Sequence, residues 1–144
     1  MLEPRTAYLL HVEDDDICIM GLGRAFRKAK IANTIQTAHD GVEALEMLRG
    51  AGGRERFPRP FIVLLDLNMP RMGGIEFLQE LRGDEELKKS VVFVMTSSNA
   101  EEDKVEAYNL GVAGYILKSN PANAFLEATA LLDTYWRVVE FPAA

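Results

Sequence analysis

Acidic, hydroxyl and basic side chains stand at the ends of several short apolar runs in this sequence. The first run leads into four acidic residues at 13–16, and a later run ends just before Asp66. Two further runs end at Thr96 and just before Lys118. If these runs are parallel strands of one sheet, the groups meet at one edge, where converging carboxylates repel each other. A hard divalent cation relieves that repulsion, and oxygen ligands without His or Cys favour Mg²⁺ over zinc or copper.

The same groups suit the transfer of a phosphoryl group. Protein-bound Mg²⁺ takes one or two carboxylates, keeps several waters and shares itself with a phosphate. A lysine and a threonine at the same edge can neutralise and hydrogen-bond phosphoryl oxygens. Asp66 is the expected nucleophile, since a carboxylate can form an aspartyl-phosphate. These residues therefore indicate a phosphoryl-transfer site assembled from strand ends.

Five apolar runs alternate with segments of helical spacing, which predicts an α/β fold. The runs cover residues 7–12, 34–38, 61–65, 91–95 and 114–117. Several are almost wholly apolar, as strands buried on both faces of a parallel sheet are. Between them, apolar residues recur three and four positions apart, as Ile19, Leu22 and Phe26 do. The alternation predicts a doubly wound sheet, and ligands of such sheets bind outside the carboxyl ends of the strands.

Length and composition narrow the class of protein. The 144 residues are 48% hydrophobic and 26% charged, with a formal net charge of −6. We expect one domain, and the acidic balance disfavours nucleic-acid binding. The single cysteine excludes an intramolecular disulfide. Because no run approaches the ~20 apolar residues of a membrane span and no signal peptide is recognisable, a cytoplasmic protein without membrane contact is expected.

Four fragments resemble the receiver domains of two-component response regulators. They are VEDDD at 12–16, LLDLNMPRMGG at 64–74, VMTSS at 94–98 and GYILK at 114–118. The resemblance implies a flavodoxin-like receiver fold with five parallel strands in the order 2-1-3-4-5. It also implies a phosphorylation-dependent signalling switch rather than an enzyme. Such a switch accepts a phosphoryl group from a histidine kinase, loses it slowly to water, and acts through protein–protein interaction or phosphorelay.

The resemblance assigns a chemical role to each residue of the acidic centre. Asp66 is the expected phosphoacceptor. Glu13, Asp14, Asp66 and the backbone carbonyl of Asn68 are the expected ligands of Mg²⁺, or of Mn²⁺ in its place. Lys118 is expected to pair with the phosphoryl group.

Further residues are expected to respond to phosphorylation. Thr96 would bond the phosphoryl group and move toward it, and Tyr115 would be the rotamer switch. Asn68 and Ser98 flank the path of the attacking water, so they would tune dephosphorylation. Both are neutral and polar, and neither offers a strong general base.

Two residues depart from the pattern of the family. Glu13 stands where the family usually has Asp, and its extra methylene suits contact with the metal through a water. Ser119 follows Lys118 where the family usually has proline. A non-proline cis peptide costs about 2.5–4 kcal/mol, so the turn after Lys118 is either strained or follows another path.

Within the family, the sequence most resembles single-domain regulators partnered with bacterial and cyanobacterial phytochromes. The long loop at 49–60, the run TSSNAEED at 96–103 and the ending YWRVVEFP at 135–142 carry this resemblance. It implies that residues 1–144 form a single receiver domain and that a phytochrome histidine kinase is the partner. Regulators of this kind lack an output domain and tend to be dimers.

The last segment, about 133–144, is rich in apolar side chains. It could fold back on the core of its own chain or pack on a second copy. We favour the second alternative, a homodimer, because exposed apolar patches usually mark interaction surfaces. The expected interface residues are Tyr135, Trp136, Val139 and Phe141.

Two other functions remain open. One is a receiver-like interaction module that works without phosphorylation, which the replacement of proline by Ser119 favours. The other is a hydrolase that resembles the haloacid-dehalogenase phosphatases, which also use a strand-end Asp and Mg²⁺. Those enzymes need a second acid two residues after the nucleophile, and Asn68 at that position argues against turnover.

Overall fold

Residues 7–142 are described by a computed structural model, and within this range strands and helices alternate. The strands are β1 (Tyr8–Val12), β2 (Ile35–Ala38), β3 (Phe61–Leu65), β4 (Val91–Thr96) and β5 (Gly114–Leu117). The helices are α1 (Asp16–Lys28), α2 (Gly41–Arg49), α3 (Gly74–Gly83), α4 (Glu101–Asn109) and α5 (Pro121–Val138). All strands are parallel and form one sheet in the order β2-β1-β3-β4-β5. The predicted fold class and strand order are confirmed.

The sheet is sandwiched between two helical layers, each with its own apolar core. Alternate side chains of a strand point to opposite faces, so Val63 and Leu65 of β3 pack with α2 and α3 while Ile62 and Leu64 pack with α1 and α5. All five residues of β3 are buried as a result. This explains the nearly continuous apolar run in the sequence. Asp66, which follows β3, is therefore attached to a fully buried strand.

The C-terminal part of α5 packs on the core of its own chain. Trp136 is only 1% exposed, and its ring centroid lies 5.9 Å from that of Phe26 in α1. The Tyr135 ring contacts Phe93 of β4 edge-on at 5.1 Å and Phe141 at 6.1 Å. The sequence predicts that Trp136 contacts a second copy. This prediction is wrong, because the Trp136 side chain is buried in the core of its own chain. The apolar side chains of α5 therefore cover the same face of the sheet as α1.

Helix α4 is the least buried of the five helices in the described range. Ala107 is its only buried residue, and Val105 and Tyr108 are more than half exposed. Its N-cap residue, Ala100, forms no side-chain capping hydrogen bond. Few apolar contacts therefore hold this helix against the sheet, and its polar contacts count for more.

The C-terminal end of α4 is tied to α3 by Arg82. The guanidinium donates hydrogen bonds to the carbonyls of Leu110 and Gly111, just after α4, at 2.6 and 3.1 Å. It also donates to the carbonyls of Lys88 and Ser90, just before β4, at 2.8 Å each. One half-buried side chain thus satisfies four carbonyls at the edge of the sheet opposite the predicted site.

None of the helices in the described range is both long and apolar enough to span a bilayer.

Candidate functional site

The predicted site residues meet at the carboxyl ends of four strands, as the sequence indicates. The Asp66 amide donates to the carbonyl of Val12 at 3.0 Å, and the Lys118 amide donates to that of Thr96 at 2.8 Å. The hydrogen bonding of the sheet therefore continues through these residues. Their side chains project from backbone that the sheet holds in place, and the site is supported by rigid structure on its inner side.

Three carboxylates form the centre of the site. Glu13, Asp14 and Asp66 each place an oxygen within 4.8 Å of the others. Glu13 is 1% exposed and Asp66 7%, whereas Asp14 faces solvent. Burial of adjacent negative charges is unfavourable, and a divalent cation that takes oxygen ligands compensates for it. This set of donors fits a hard divalent cation such as Mg²⁺ or Mn²⁺.

Asn68 lies in the loop that follows Asp66. Its backbone amide is 3.3 Å from Asp66 Oδ1, and its side chain is exposed. A backbone group of Asn68 therefore contacts the predicted phosphoacceptor directly.

Lys118 joins the acidic centre from β5. Its Nζ lies 2.7 Å from Glu13 Oε1 and 3.6 Å from Asp66 Oδ2. Burial favours the neutral amine, but the hydrogen bond to Glu13 and the charge of Asp66 outweigh it and raise the pKa of Lys118. Burial raises the pKa of Glu13 above its usual range, although the bond to Lys118 opposes this. The lysine thus neutralises one carboxylate and stays charged beside a second.

A chain of hydrogen bonds runs from Asp66 toward α4. Thr96 Oγ1 donates to Asp66 Oδ1 at 2.6 Å, and the Ser98 amide is 3.4 Å from Thr96 Oγ1. The Tyr115 hydroxyl donates to the carbonyl of Ser98 at 2.9 Å. The Ser98 hydroxyl in turn donates to the carboxylate of Asp103 in α4. Sequence reasoning identified the first four residues and missed Asp103, whose spacing from Ser98 was the only available signal.

The turn after Lys118 follows a path that needs no cis bond. Within residues 7–142 the cis peptide is Arg59–Pro60, so the bond between Lys118 and Ser119 is trans. The sequence left open either a strained cis turn or another path for the chain, and the structure has the second. The turn leads directly into α5, and Lys118 still reaches the acidic centre.

A second contact that the sequence did not reveal holds the loop after Asp66. Arg71, with a left-handed φ of 60°, forms a two-pronged ion pair with Asp40 at 2.8 and 3.1 Å. Asp40 also caps α2 by accepting a hydrogen bond from the Glu43 amide. Although burial opposes it, Arg71 and this amide lower the pKa of Asp40. The Asp-Gly pair at 40–41 was recognisable in the sequence as a turn, but its distant arginine partner was not.

Comparison with known proteins identifies the family. Residues 9–130 match the sequence profile described as "Response regulator receiver domain". The chain belongs to this family of response regulator receiver domains. Receiver domains bind a divalent metal ion and function in two-component signalling by phosphorylation, as signalling proteins rather than typical enzymes. The predicted membership of the receiver-domain family is therefore confirmed.

This receiver domain is similar to regulators associated with phytochromes. It is 31% identical to response regulator Rcp1 of Synechocystis sp. over 137 residues, which cover 94% of this chain and 93% of that protein. This chain also matches the crystal structure of the phosphorylated cyanobacterial phytochrome response regulator RcpA, with a TM-score of 0.86 at 30% identity. The match covers 95% of this chain and 99% of the RcpA chain. The Mn²⁺-bound form of Rcp1 has a TM-score of 0.83 at 30% identity, with the same coverage. The predicted resemblance to phytochrome response regulators is confirmed.

Proposed function

We propose that this receiver domain is phosphorylated on Asp66 by a histidine kinase. The arrangement around the Asp66 carboxylate carries the proposal, because the groups on its two oxygens differ. Thr96 donates to Oδ1 at 2.6 Å, and Lys118 lies 3.6 Å from Oδ2. A hydroxyl donor and an ammonium group on a buried carboxylate are the partners that phosphoryl oxygens need once the carboxylate has become an acyl phosphate.

The transfer exchanges one bond for another at phosphorus. An Asp66 oxygen attacks the phosphorus of a phosphohistidine, the P–O bond forms, and the P–N bond breaks with its electron pair left on the imidazole. Glu13, Asp14, Asp66 and the Asn68 carbonyl would hold the divalent ion, and a bound ion would supply positive charge near the phosphoryl oxygens. Lys118, already charged and close to Asp66, neutralises the phosphoryl group on the other side.

Phosphorylation acts on the switch residues Thr96 and Tyr115. New charge on Asp66 draws the Thr96 hydroxyl, which now contacts the free carboxylate. Because Ser98 connects Thr96 to Tyr115, a shift of Thr96 reaches the surface formed by α4, β5 and α5. The output is a changed protein–protein contact or transfer of the phosphoryl group along a relay.

The phosphorylated form is expected to hydrolyse slowly. The two positions expected to tune hydrolysis are Asn68, which is exposed, and Ser98, whose hydroxyl is already bonded to Asp103. Neither provides a strong general base for an attacking water. Slow loss makes the domain a signal carrier rather than a phosphatase.

The kinase partner is a phytochrome. The similar protein RcpA, which this chain matches over almost its whole length, is a cyanobacterial phytochrome response regulator, and this supports the choice. Purified bacterial phytochrome kinase should transfer radiolabelled phosphate to this domain faster than an unrelated histidine kinase does. Equal rates from both kinases would contradict the phytochrome partnership without contradicting phosphorylation of Asp66.

The homodimer also remains our proposal, with a smaller interface than the sequence suggested. The ring of Trp136 is excluded because it lies in the core, and Tyr135 and Phe141 are half-buried against each other. Val138, which is 68% exposed on the last turn of α5, is an apolar side chain of this segment that points to solvent. Of the predicted extension at 133–144, residues 143–144 lie outside the described range.

The decisive experiment measures intact mass after incubation with a small acyl-phosphate donor, with and without Mg²⁺. One added phosphoryl group that requires both Mg²⁺ and Asp66 is expected, and Asp66→Asn should prevent it. Asp15→Asn is the matched control, since Asp15 is an acid near the site that caps α1 and lies outside the carboxylate cluster.

A receiver-like module that works without phosphorylation is the second candidate. The close pairing of Lys118 with Glu13, rather than with Asp66, favours it. If neither the acyl-phosphate donor nor a kinase modifies Asp66 while partner binding persists, this second function replaces the first.

A further inference from the structure

Asp103 connects helix α4 to the switch residues through a single intermediate, Ser98. The Ser98 hydroxyl donates to the Asp103 carboxylate, while the Ser98 carbonyl accepts from Tyr115 and its amide faces Thr96 Oγ1. All three polar groups of Ser98 are therefore used, each by a different element. A residue held in this way cannot change its backbone position without affecting Thr96, Tyr115 and Asp103 together.

The contact with Asp103 also fixes the first turn of α4, which has no side-chain cap. Asp103 lies in the first turn of the helix, three residues after its N-cap residue Ala100, which provides no side-chain hydrogen bond. In a capping box, an acid at this position reaches back to the start of the helix. Here Asp103 reaches further back, to Ser98, whose hydroxyl is also 3.4 Å from the Ala100 amide.

The weak packing of α4 gives this contact its importance. Ala107 alone is buried within the helix, so apolar contacts do little to fix the N-terminal turn. A hydrogen bond to a charged acceptor is stronger than one between neutral groups. The Ser98–Asp103 bond is therefore a main determinant of where the first turn of α4 and the preceding loop lie.

We propose that Asp103 is a positioning residue that holds the Ser98 carbonyl in place for Tyr115 and so keeps the switch in its inward state. By the inward state we mean the Tyr115 hydroxyl bonded to the Ser98 carbonyl, as in this structure. The inference rests on the proposed function only for the roles of Thr96 and Tyr115 as switch residues. It also changes the expected role of Ser98, whose hydroxyl orients Asp103 and α4 instead of an attacking water.

The electrostatics of Tyr115 agree with this arrangement. Burial raises the pKa of Tyr115, and the nearby negative charge of Asp103 adds to the effect although the bond to Ser98 opposes it. The carboxylate of Asp103 therefore faces the same small region as the Tyr115 hydroxyl. A change at Asp103 should be detectable at the Tyr115 ring.

The test is fluorine NMR of the unphosphorylated full chain labelled with 3-fluorotyrosine. The chain has four tyrosines, and the Tyr115→Phe variant identifies the Tyr115 resonance. In Asp103→Ala the ratio of inward to outward Tyr115 should fall about tenfold, the scale set by loss of one hydrogen bond to a charged group. Ser98→Ala, which keeps the carbonyl that accepts from Tyr115, should give the same shift.

Three comparisons separate positioning from general damage to the helix. Asp103→Asn removes the charge but keeps an oxygen acceptor, and should restore much of the inward-to-outward ratio that Asp103→Ala loses. The double variant Ser98→Ala/Asp103→Ala should shift the resonance no further than either single variant, because the two residues act through one bond. Glu102→Ala removes a charge from the same helical turn and should leave Tyr115 unchanged.

An unchanged Tyr115 resonance in Asp103→Ala would overturn the inference. Full additivity in the double variant, or an equal shift in Glu102→Ala, would also overturn it. None of these spectra depends on phosphorylation. Failure of Asp66 to accept phosphate from either the acyl-phosphate donor or a kinase would therefore refute the proposed function and leave this inference to be decided by its own measurement.

Discussion

Lys118 binds Glu13 more closely than it binds Asp66, with Nζ–O distances of 2.7 and 3.6 Å. Both partners of the closer pair are nearly buried, with side chains 8% and 1% exposed. Removing a charge from water costs free energy that only a retained partner returns. The Lys118–Glu13 pair is thus stable as a unit, and it keeps an ammonium group beside the predicted phosphoacceptor.

Replacing Lys118 should therefore destabilise the protein. Lys118→Met keeps most of the side-chain volume but leaves Glu13 buried without its partner, and should lower the free energy of unfolding by about 3 kcal/mol. The measurement is urea unfolding at neutral pH in the presence of a chelator. The double variant Glu13→Gln/Lys118→Met should recover part of the loss. Lys104→Met, which breaks an exposed pair with Glu101, should cost less than about 0.5 kcal/mol, and an equal cost for both lysines would contradict the prediction.

Asp14 should contribute to metal affinity as a ligand, and not only through its negative charge. Asp14→Asn removes one of the three carboxylates of the centre and should weaken Mn²⁺ binding by about tenfold. Titration followed by the electron paramagnetic resonance signal of free Mn²⁺ measures the affinity. Asp15→Asn is the control because it removes an equal charge one residue away, where Asp15 accepts a hydrogen bond from the Ile17 amide. If both variants bind equally weakly, Asp14 acts through long-range charge and is not a ligand.

Sequence reasoning predicted the elements and the residues at strand ends for a simple physical reason. Parallel strands buried on both faces are continuous apolar runs, and their carboxyl ends meet at one edge. The convergence of Asp66, Thr96 and Lys118 follows from that rule together with the observed strand order. The rule works because it needs only the chain direction and the order of the strands.

Contacts between distant side chains could not be predicted in the same way. The pairing of Arg71 with Asp40 depends on a left-handed residue in a loop, and no spacing in the sequence announces it. The apolar stripe of α5 was visible, but hydrophobicity alone does not say whether Trp136 covers its own sheet or a second copy. Only the packing of Trp136 against Phe26 decides between these two surfaces.

Trp136 should contribute strongly to stability, and Val138 should not. Trp136→Ala is expected to lower the free energy of unfolding by about 3–5 kcal/mol because it empties a core site. Val138→Ser changes an exposed side chain and should cost less than about 0.5 kcal/mol. Urea unfolding measures both variants. Similar small losses in the two variants would show that Trp136 does not lie in the core.

The same packing determines how the homodimer must be tested. Truncation after Leu132 would remove Trp136 along with any interface, so loss of folding would hide loss of association. Val138→Asp places a charge on the exposed face and keeps the core. If the dimer uses this surface, sedimentation equilibrium should show a monomer for Val138→Asp and a dimer for the parent chain. A parent chain that remains monomeric at all concentrations would contradict the dimer.

His11 should make stability depend on pH. Its imidazole is buried, its Nδ1 has no hydrogen-bond partner among the described residues, and burial with the charge of Lys118 lowers its pKa to about 3. In the unfolded chain His11 titrates near 6.5. Between these values the unfolded chain binds the proton and the folded chain does not, so stability from this residue increases with pH and is complete above about 6.5.

Replacing His11 should flatten that dependence. The loss of unfolding free energy between pH 7 and pH 5 should be about 2 kcal/mol smaller in His11→Phe than in the parent chain. Urea unfolding at a series of pH values, with a chelator present, provides the measurement. His39→Gln, at an exposed histidine, is the matched control and should retain the parental slope. An unchanged slope in His11→Phe would show that other groups cause the acid sensitivity.

The two ends of α4 are held by different numbers of contacts, so we expect the helix to rotate about its C-terminal end. Arg82 anchors the chain directly after the helix through two carbonyls, whereas Asp103 anchors the first turn through one bond to Ser98. Nine residues of helix are about 13 Å long. A rotation of about 10° around the Arg82 end would therefore swing the first turn by roughly 2 Å. A partner that contacts this face would sense the displaced negative charges at residues 101–103, with no residue newly exposed.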